Sequence, residues 1–357
     1  MHAYAIQDSQ GMVKLDAMEN PHRLSTQLQE ALGKRLGALA LNRYPDGRVN
    51  DLRVALAAHA GMPEGFDIML GNGSDELIAL LSMACDVPKQ AGQACPVVLA
   101  PTPGFVMYAM SAQLQGLEFL GVPLTPDFAL DEPAMLAAIH RFEPAIVYLA
   151  YPNNPTANLW NAGAMARIIE AAGAVGSIVA IDEAYQPFSS CTYLDTIRAN
   201  PVDHAHVLLM RTMSKFGLAG VRIGYMLGQR DLIAQVDKVR PPYNISVLNY
   251  ECALFALEHQ EVFAAQALEI RAQRAILLEA LRAMDGIKAW DSDANMVLVR
   301  INGEGDRAQA MFDALKARGV LVKNVSKMHP LLTNCLRLTV GTAQENILLI
   351  NALSESL

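Results

Sequence analysis

Charge and cysteine are both scarce in this chain. Charged residues make up 18% of its 357 residues and hydrophobic ones 52%, a balance that suits a well-buried globular protein and excludes a disordered one. The five cysteines, Cys85, Cys95, Cys191, Cys252 and Cys335, are odd in number, scattered and without a Cys-x-x-Cys. Neither a disulfide framework nor a cysteine zinc site is expected; the thiols read as buried groups in a reducing compartment, the cytoplasm. No apolar run reaches the roughly 18 residues of a membrane span, so no membrane partner is expected. Residues 1–16 lack a basic segment followed by an apolar one, so no secretory signal is expected either. Cationic excess is missing too. With 28 Lys and Arg against 36 Asp and Glu, the net charge is −8, a poor balance for holding nucleic acid. The dinucleotide fingerprint, the Walker A pattern and the Gly-x-Ser-x-Gly elbow do not occur. His204-Ala205-His206 has no further ligand at a recognisable spacing, so no metal is expected.

What is present is alternation. Short apolar segments near 68–70, 97–100, 118–122, 146–150, 178–181, 207–210 and 223–227 read as strands. Helix-like stretches at 76–85, 106–114, 133–141 and 164–172 lie between them. This pattern predicts an α/β domain around a largely parallel sheet, with ligands at the carboxyl ends of its strands. Residues 248–284 read as mostly helical, a candidate for one long helix leading out of the large domain. A strand at 296–301, a helix at 307–318, a strand at 335–340 and a final helix from about 344 suggest a smaller α+β domain. The expected division is an N-terminal segment 1–40 joining the small domain, a large domain 41–250, and a connecting helix with the small domain at 251–357. A cleft between the two is the default ligand site.

Several polar clusters fall where such a sheet presents its strand ends. In Thr212-Met213-Ser214-Lys215 a lysine sits beside two hydroxyls, and Arg222 follows seven residues later. A lysine that forms a Schiff base needs a site that lowers its pKa, and hydroxyls with an arginine suit a phosphate. A phosphate-bearing aldehyde, pyridoxal 5'-phosphate (PLP), needs both; the plain alternative is a solvated lysine in a glycine-rich loop. Gly73-Ser74-Asp75-Glu76 opens a helix after a strand, a junction whose free N–H groups suit a phosphate. Ser74 or Asp75 has a simpler use there as helix N-cap. Asp182, at the end of an apolar strand, must be paired or functional, through a pyridinium N–H or through another cation. Tyr185, three residues on, is placed for a ring's phenolic oxygen or is an ordinary half-buried tyrosine. Asn154, in Tyr151-Pro152-Asn153-Asn154-Pro155-Thr156, sits in a turn-like cluster at another strand end. Phe105, in Pro103-Gly104-Phe105-Val106-Met107-Tyr108, is a candidate to stack on a planar cofactor or a core aromatic. Arg337 lies inside an apolar strand and needs an anion, from a substrate or from an internal acid.

In this order the pieces resemble the fold-type I PLP-dependent aminotransferases. Within them the nearer likeness is to the histidinol-phosphate branch, carried also by Lys14-Leu15-Asp16-Ala17-Met18-Glu19-Asn20-Pro21, Asn42-Arg43-Tyr44-Pro45 and Leu336-Arg337-Leu338-Thr339-Val340-Gly341. The resemblance runs from about residue 4 to the end. It implies an amino-group transfer between L-histidinol phosphate and 2-oxoglutarate, with glutamate as donor in the biosynthetic direction. It implies that Lys215 holds PLP covalently and then acts as the base. Asp182 would pair with the pyridinium nitrogen. Asn154 and Tyr185 would bind the phenolic oxygen, and Phe105 would stack on the ring. Ser74, Asp75, Thr212, Ser214 and Arg222 would hold the phosphate. Tyr44 would reach the cofactor phosphate of a second subunit, which implies a homodimer. Arg337 would bind the substrate's anionic end, with Tyr4 lining the same pocket. Where relatives often carry a second substrate-binding arginine, this chain has Lys323, which keeps the charge without the bidentate fork. Where relatives have Asn-Pro-Thr-Gly, the chain has Ala157 after Thr156. Alternatives within the superfamily are an aromatic amino acid aminotransferase and a threonine-phosphate decarboxylase; outside it, a PLP-binding regulatory module that no longer turns over.

Overall fold

The structure is a computed structural model and describes residues 7–88 and 95–357. The chain enters through a short strand, β1 (Val13–Lys14), and then builds a seven-stranded sheet from β2 (Phe66–Gly71), β3 (Val97–Thr102), β4 (Glu118–Pro123), β5 (Ile146–Ala150), β6 (Ile178–Asp182), β7 (Val207–Thr212) and β8 (Gly224–Gln229). Their spatial order is β2-β8-β7-β6-β5-β3-β4. All pairs are parallel except those of β8, which runs antiparallel to both β2 and β7. The central strands are apolar and buried on both faces: Val179, Ala180 and Ile181 of β6 have no exposed surface. Helices cover both faces of such a sheet, so its strands read as continuous apolar runs instead of alternating ones.

The helices follow local capping. Asn161 accepts from the Ala164 N–H at 3.0 Å and starts the helix Ala162–Ala174; Asp131 accepts from Ala134 at 3.1 Å and starts Glu132–Phe142. Each satisfies a donor that the first helical turn leaves without a partner. Helix Ser74–Ala84 is different. Its N-cap is Gly73, and neither Ser74 nor Asp75 caps it, since both already lie inside the helix. The expected single helix at 248–284 is two, Val247–Glu258 and Gln260–Arg282, broken at His259.

After the long helix, a four-stranded antiparallel sheet forms from β9 (Ile287–Ala289), β10 (Met296–Ile301), β12 (Lys323–Asn324) and β13 (Cys335–Thr339), in the order β12-β13-β10-β9, while β11 (Val320–Leu321) pairs with β1. The N-terminal stretch is tied to this smaller layer. Leu15 donates to the Leu321 carbonyl at 2.8 Å, and Thr339 donates to the Leu15 carbonyl at 3.0 Å. The Met18 N–H donates to Thr339 Oγ1, also at 3.0 Å.

Beneath the strand ends, a buried ion pair fastens β6 to β7. Glu183 follows Asp182, and Arg211 precedes Thr212. The Arg211 guanidinium donates to Glu183 Oε2 at 3.0 and 2.9 Å and to Thr192 Oγ1 at 2.9 Å. Removing one partner strands a buried charge, which costs about 3 kcal/mol or more. Arg211→Met is therefore expected to lower the urea midpoint of the cofactor-free protein by an amount equivalent to about 3 kcal/mol; an unchanged midpoint would contradict this account of the strand ends.

Candidate active site

At the carboxyl ends of β3, β5, β6 and β7, the chain opens a cleft of about 580 Å³. The walls contain Ser74, Asp75, Phe105, Asn154, Asp182, Tyr185, Thr212, Ser214, Lys215 and Arg222, every one anticipated from the sequence. Residues scattered over nearly 150 positions meet because parallel strands place all their carboxyl ends on one edge.

Asp182 ends β6 and is 5% exposed. Its Oδ2 accepts from the Tyr108 hydroxyl at 2.7 Å and its Oδ1 from the Ala184 N–H at 3.0 Å. Neither donor is a cation. Burial pushes this carboxyl up to about 6, against the two hydrogen bonds that favour its anion. A cationic N–H on a heterocycle is a natural complement.

Lys215 follows β7, in a short irregular helix, Ser214–Leu218. Its Nζ donates to the Ala17 carbonyl at 2.9 Å and lies 6.0 Å from the centre of the Tyr185 ring. Burial of the amine in the cleft, and then the nearby Arg337, push it down to about 7. An amine so placed is neutral in a substantial fraction of molecules near pH 7, and the neutral form is the nucleophile.

One side of the cleft is built for an anion. Helix Ser74–Ala84 points its first N–H groups into it. Arg222 donates to Ser214 Oγ at 3.3 Å and to Asp75 Oδ2 at 3.4 Å. Gly73 takes φ 84°, and a Cβ there would meet Arg222 Nη2 at 2.5 Å. A Cβ at Gly224 would stand 2.7 Å from the Ser74 nitrogen. Both positions keep backbone and guanidinium close enough to share one small anion. Thr212 lines this side, but its hydroxyl is engaged within the loop: it donates to the Ile223 carbonyl and accepts from the Ser214 N–H, each at 3.1 Å. Together, an amine of lowered pKa, a buried carboxylate, the wall residue Phe105 and this cradle suit a planar, nitrogen-containing aldehyde that carries a phosphate.

Arg337 approaches from the small sheet. It donates to Asn154 Oδ1 at 2.8 Å and to the Asp16 carbonyl at 2.8 Å. Lys323 stands directly across from it in the β12–β13 pair, so the two cations share a face of that sheet. Tyr44 lies apart from its own chain's cleft. It is 77% exposed and stacks on Tyr243, with ring centres 4.7 Å apart. Tyr4 lies outside the described residues.

Ala184 and Met18, which sequence reasoning gave no role, also line the cleft, as does Tyr108, the second aromatic of the 103–108 stretch. Tyr108 sits three residues after Phe105, one turn along the same helix face. Among the described residues, no group of His, Cys, Asp and Glu is arranged to hold a metal.

The sequence pattern of the family "Aminotransferase class I and II" matches residues 10–353. The chain is 70% identical over 357 residues to a histidinol-phosphate aminotransferase of Polaromonas naphthalenivorans, covering 100% of this chain and 94% of that one. It is 65% identical over 358 residues to the one of Paracidovorax citrulli, covering 100% and 95%. Its fold matches that of the Sinorhizobium meliloti histidinol-phosphate aminotransferase, solved in complex with pyridoxal-5'-phosphate. The TM-score is 0.82 at 26% identity, over 96% of this chain and 90% of that one.

The depressed Lys215 amine has a direct readout. Acetic anhydride labelling of the cofactor-free protein, resolved by peptide mass spectrometry, is expected to modify Lys215 with a pH midpoint of about 7. A lysine amine free in water has its midpoint near 10.4. A Lys215 midpoint among those of the exposed lysines would overturn this description of the cleft.

Proposed function

This chain belongs to the class I and II aminotransferases, and we propose that it transfers an amino group between L-histidinol phosphate and 2-oxoglutarate, with PLP as cofactor, in histidine biosynthesis. The observation that carries the substrate is the full-length identity to enzymes of that activity. The observation that supports the chemistry is the cleft, which a lysine of lowered pKa lines together with a buried carboxylate and an anion cradle.

When bound, PLP supplies an electron sink that acidifies the hydrogen on the carbon bearing the amine. The chain's own residues do the rest. Ser74, Asp75, Ser214 and Arg222 would hold the phosphate, with Thr212 keeping their loop in shape. Phe105 would lie against the ring, and Asn154 and Tyr185 would hold its phenolic oxygen. Asp182 as a carboxylate would keep the ring nitrogen protonated. Lys215 would hold the cofactor through its amine, and Nζ would take the proton from the substrate carbon that bears the amino group. Arg337 and Lys323 receive the substrate's anionic end, a phosphate in one half of the reaction and a carboxylate in the other.

We take residues 41–250 as the large cofactor-binding domain, with 1–40 joining the small domain that 251–357 completes. The active form is a homodimer in which Tyr44 reaches the partner's cofactor phosphate. The exposed Tyr44–Tyr243 stack beside exposed Leu41 supports a covered surface there. No two of the described cysteines form a disulfide, in keeping with a cytoplasmic enzyme.

Adding histidinol phosphate to the PLP-loaded protein is expected to convert the cofactor to its amine form, followed by absorbance, faster than phenylalanine or threonine phosphate does. Rapid conversion by phenylalanine with none by histidinol phosphate would overturn the substrate. Lys215→Ala is expected to reduce turnover by about a thousandfold or more; retained transamination would overturn its role. Light scattering should give twice the chain mass, and a monomer at full activity would rule out the shared site.

A further inference from the structure

Tyr108 is the third residue of the helix Val106–Leu114, so it comes from outside the strand ends that supply most of the cleft. Its hydroxyl reaches Asp182 Oδ2 at 2.7 Å. Its ring lies flat against Tyr148, with centroids 4.3 Å apart and planes 5° from parallel. It also meets Phe105 edge-on, at 5.6 Å and 86°. Both tyrosines of the stack are buried. The hydroxyl therefore cannot swing away without disturbing two aromatic neighbours. Burial and the adjoining carboxylate hold it well above the usual tyrosine range. It is protonated at any pH the protein meets and serves only as a donor towards Asp182.

The electrostatic setting gives this contact its consequence. The charged groups that bear most on Asp182 are Asp75 and Glu183, both of its own sign. They and burial favour the neutral acid; the Tyr108 hydroxyl and the Ala184 N–H favour the anion. Of these two donors only Tyr108 is a side chain, and so open to substitution.

We propose that Tyr108 is a positioning residue for amino transfer: its hydroxyl fixes the plane of the Asp182 carboxylate and keeps it ionised, so that the proton between Asp182 and the cofactor ring stays on the ring nitrogen. The proposal rests on the PLP reading above. Its logic is a proton shared between two bases. A donor to Asp182 makes the carboxylate the weaker base, and removing that donor moves the proton from ring nitrogen to carboxylate. No other bond changes. A hydrogen bond to a charged group shifts such a partition by about tenfold.

The test uses the loaded enzyme with PLP labelled with 15N in the ring. In Tyr108→Phe the ring-nitrogen resonance should move towards its unprotonated position, with kcat lowered about tenfold and KM for histidinol phosphate little changed. Tyr148→Phe keeps the Tyr108 hydroxyl and should leave the resonance where it is. An unmoved resonance in Tyr108→Phe, or an equal movement in Tyr148→Phe, overturns the proposal, the second by tracing the effect to packing. If Tyr108→Phe fails to fold, the unaltered protein carrying 13C at the ζ carbon of Tyr108 alone decides. That signal should differ between enzyme loaded with PLP and enzyme loaded with its 1-deaza analogue, whose ring lacks the nitrogen; identical signals overturn the proposal. Failure of the unaltered protein to load PLP overturns the PLP reading and this role with it. Loading with an unmoved resonance overturns only the role of Tyr108.

Discussion

A carboxylate buried at the end of the central strand is the constraint on which the cleft depends. Asp182 has lost most of its water, and its two hydrogen-bond donors are neutral. Burying a charge without a counter-ion is costly, so the surroundings must favour the anion by geometry. They do so through the architecture of the sheet. The helix after β3 brings the Tyr108 hydroxyl to Oδ2, and the turn after β6 brings the Ala184 N–H to Oδ1. The Glu183–Arg211 pair, from the residue just past β6 and the last but one of β7, holds the two strand ends at fixed separation. Lys215 leaves β7 three residues after Thr212, so its distance from Asp182 is set by the same pair of strands.

The second organising contact joins the two sheets. Residues 13–18 belong by hydrogen bonding to the smaller layer, yet the carbonyl of Ala17 accepts from Lys215 in the larger one. The neighbouring Asp16 carbonyl accepts from Arg337, which in turn donates to Asn154 at the end of β5. One short stretch of backbone therefore touches both the amine and the cation of the small sheet. The Asn154–Arg337 bond couples the wall of the cleft to the small sheet. The proximity of Arg337 also contributes to lowering the Lys215 pKa, second to burial.

Strands and the polar clusters at their ends were legible because burial on both faces forces continuous apolar runs, and chemistry interrupts them at one end. β5 and β10 fall where their apolar runs begin and end. The reversal of β8 was not legible, since an antiparallel strand inside a parallel sheet carries the same apolar composition. The break at His259 was hidden for a related reason: no glycine or proline marks it. Ser74 as an N-cap was a fair inference from residue type. Gly73 takes the cap because its φ of 84° and its missing Cβ let Arg222 approach, a demand made by a residue 149 positions away. Contacts such as Arg337 with Asn154, separated by 183 residues, follow from topology and leave no local pattern.

The two departures from the family's usual pattern have different structural weight. Ala157 takes φ 63° and is fully buried. A Cβ in the left-handed region costs about 1 kcal/mol. Here the turn is fixed by the Ala157 N–H to Asn153, at 2.8 Å, and by the Asp293 N–H to the Ala157 carbonyl, at 2.8 Å. The strain is thus met locally, next to Asn154 but without displacing it from Arg337. Lys323 is the more consequential change, because it stands opposite Arg337 on one face of the small sheet. A lysine offers a compact charge on a flexible stem, where an arginine would offer a planar fork. In the proposed reaction the same pocket must accept a phosphate monoester and a carboxylate in turn. A rigid pair of guanidinium forks would favour one anion geometry. In that proposal, one fork beside one ammonium on a flexible stem would let Arg337 set the orientation while Lys323 adapts to the anion's shape.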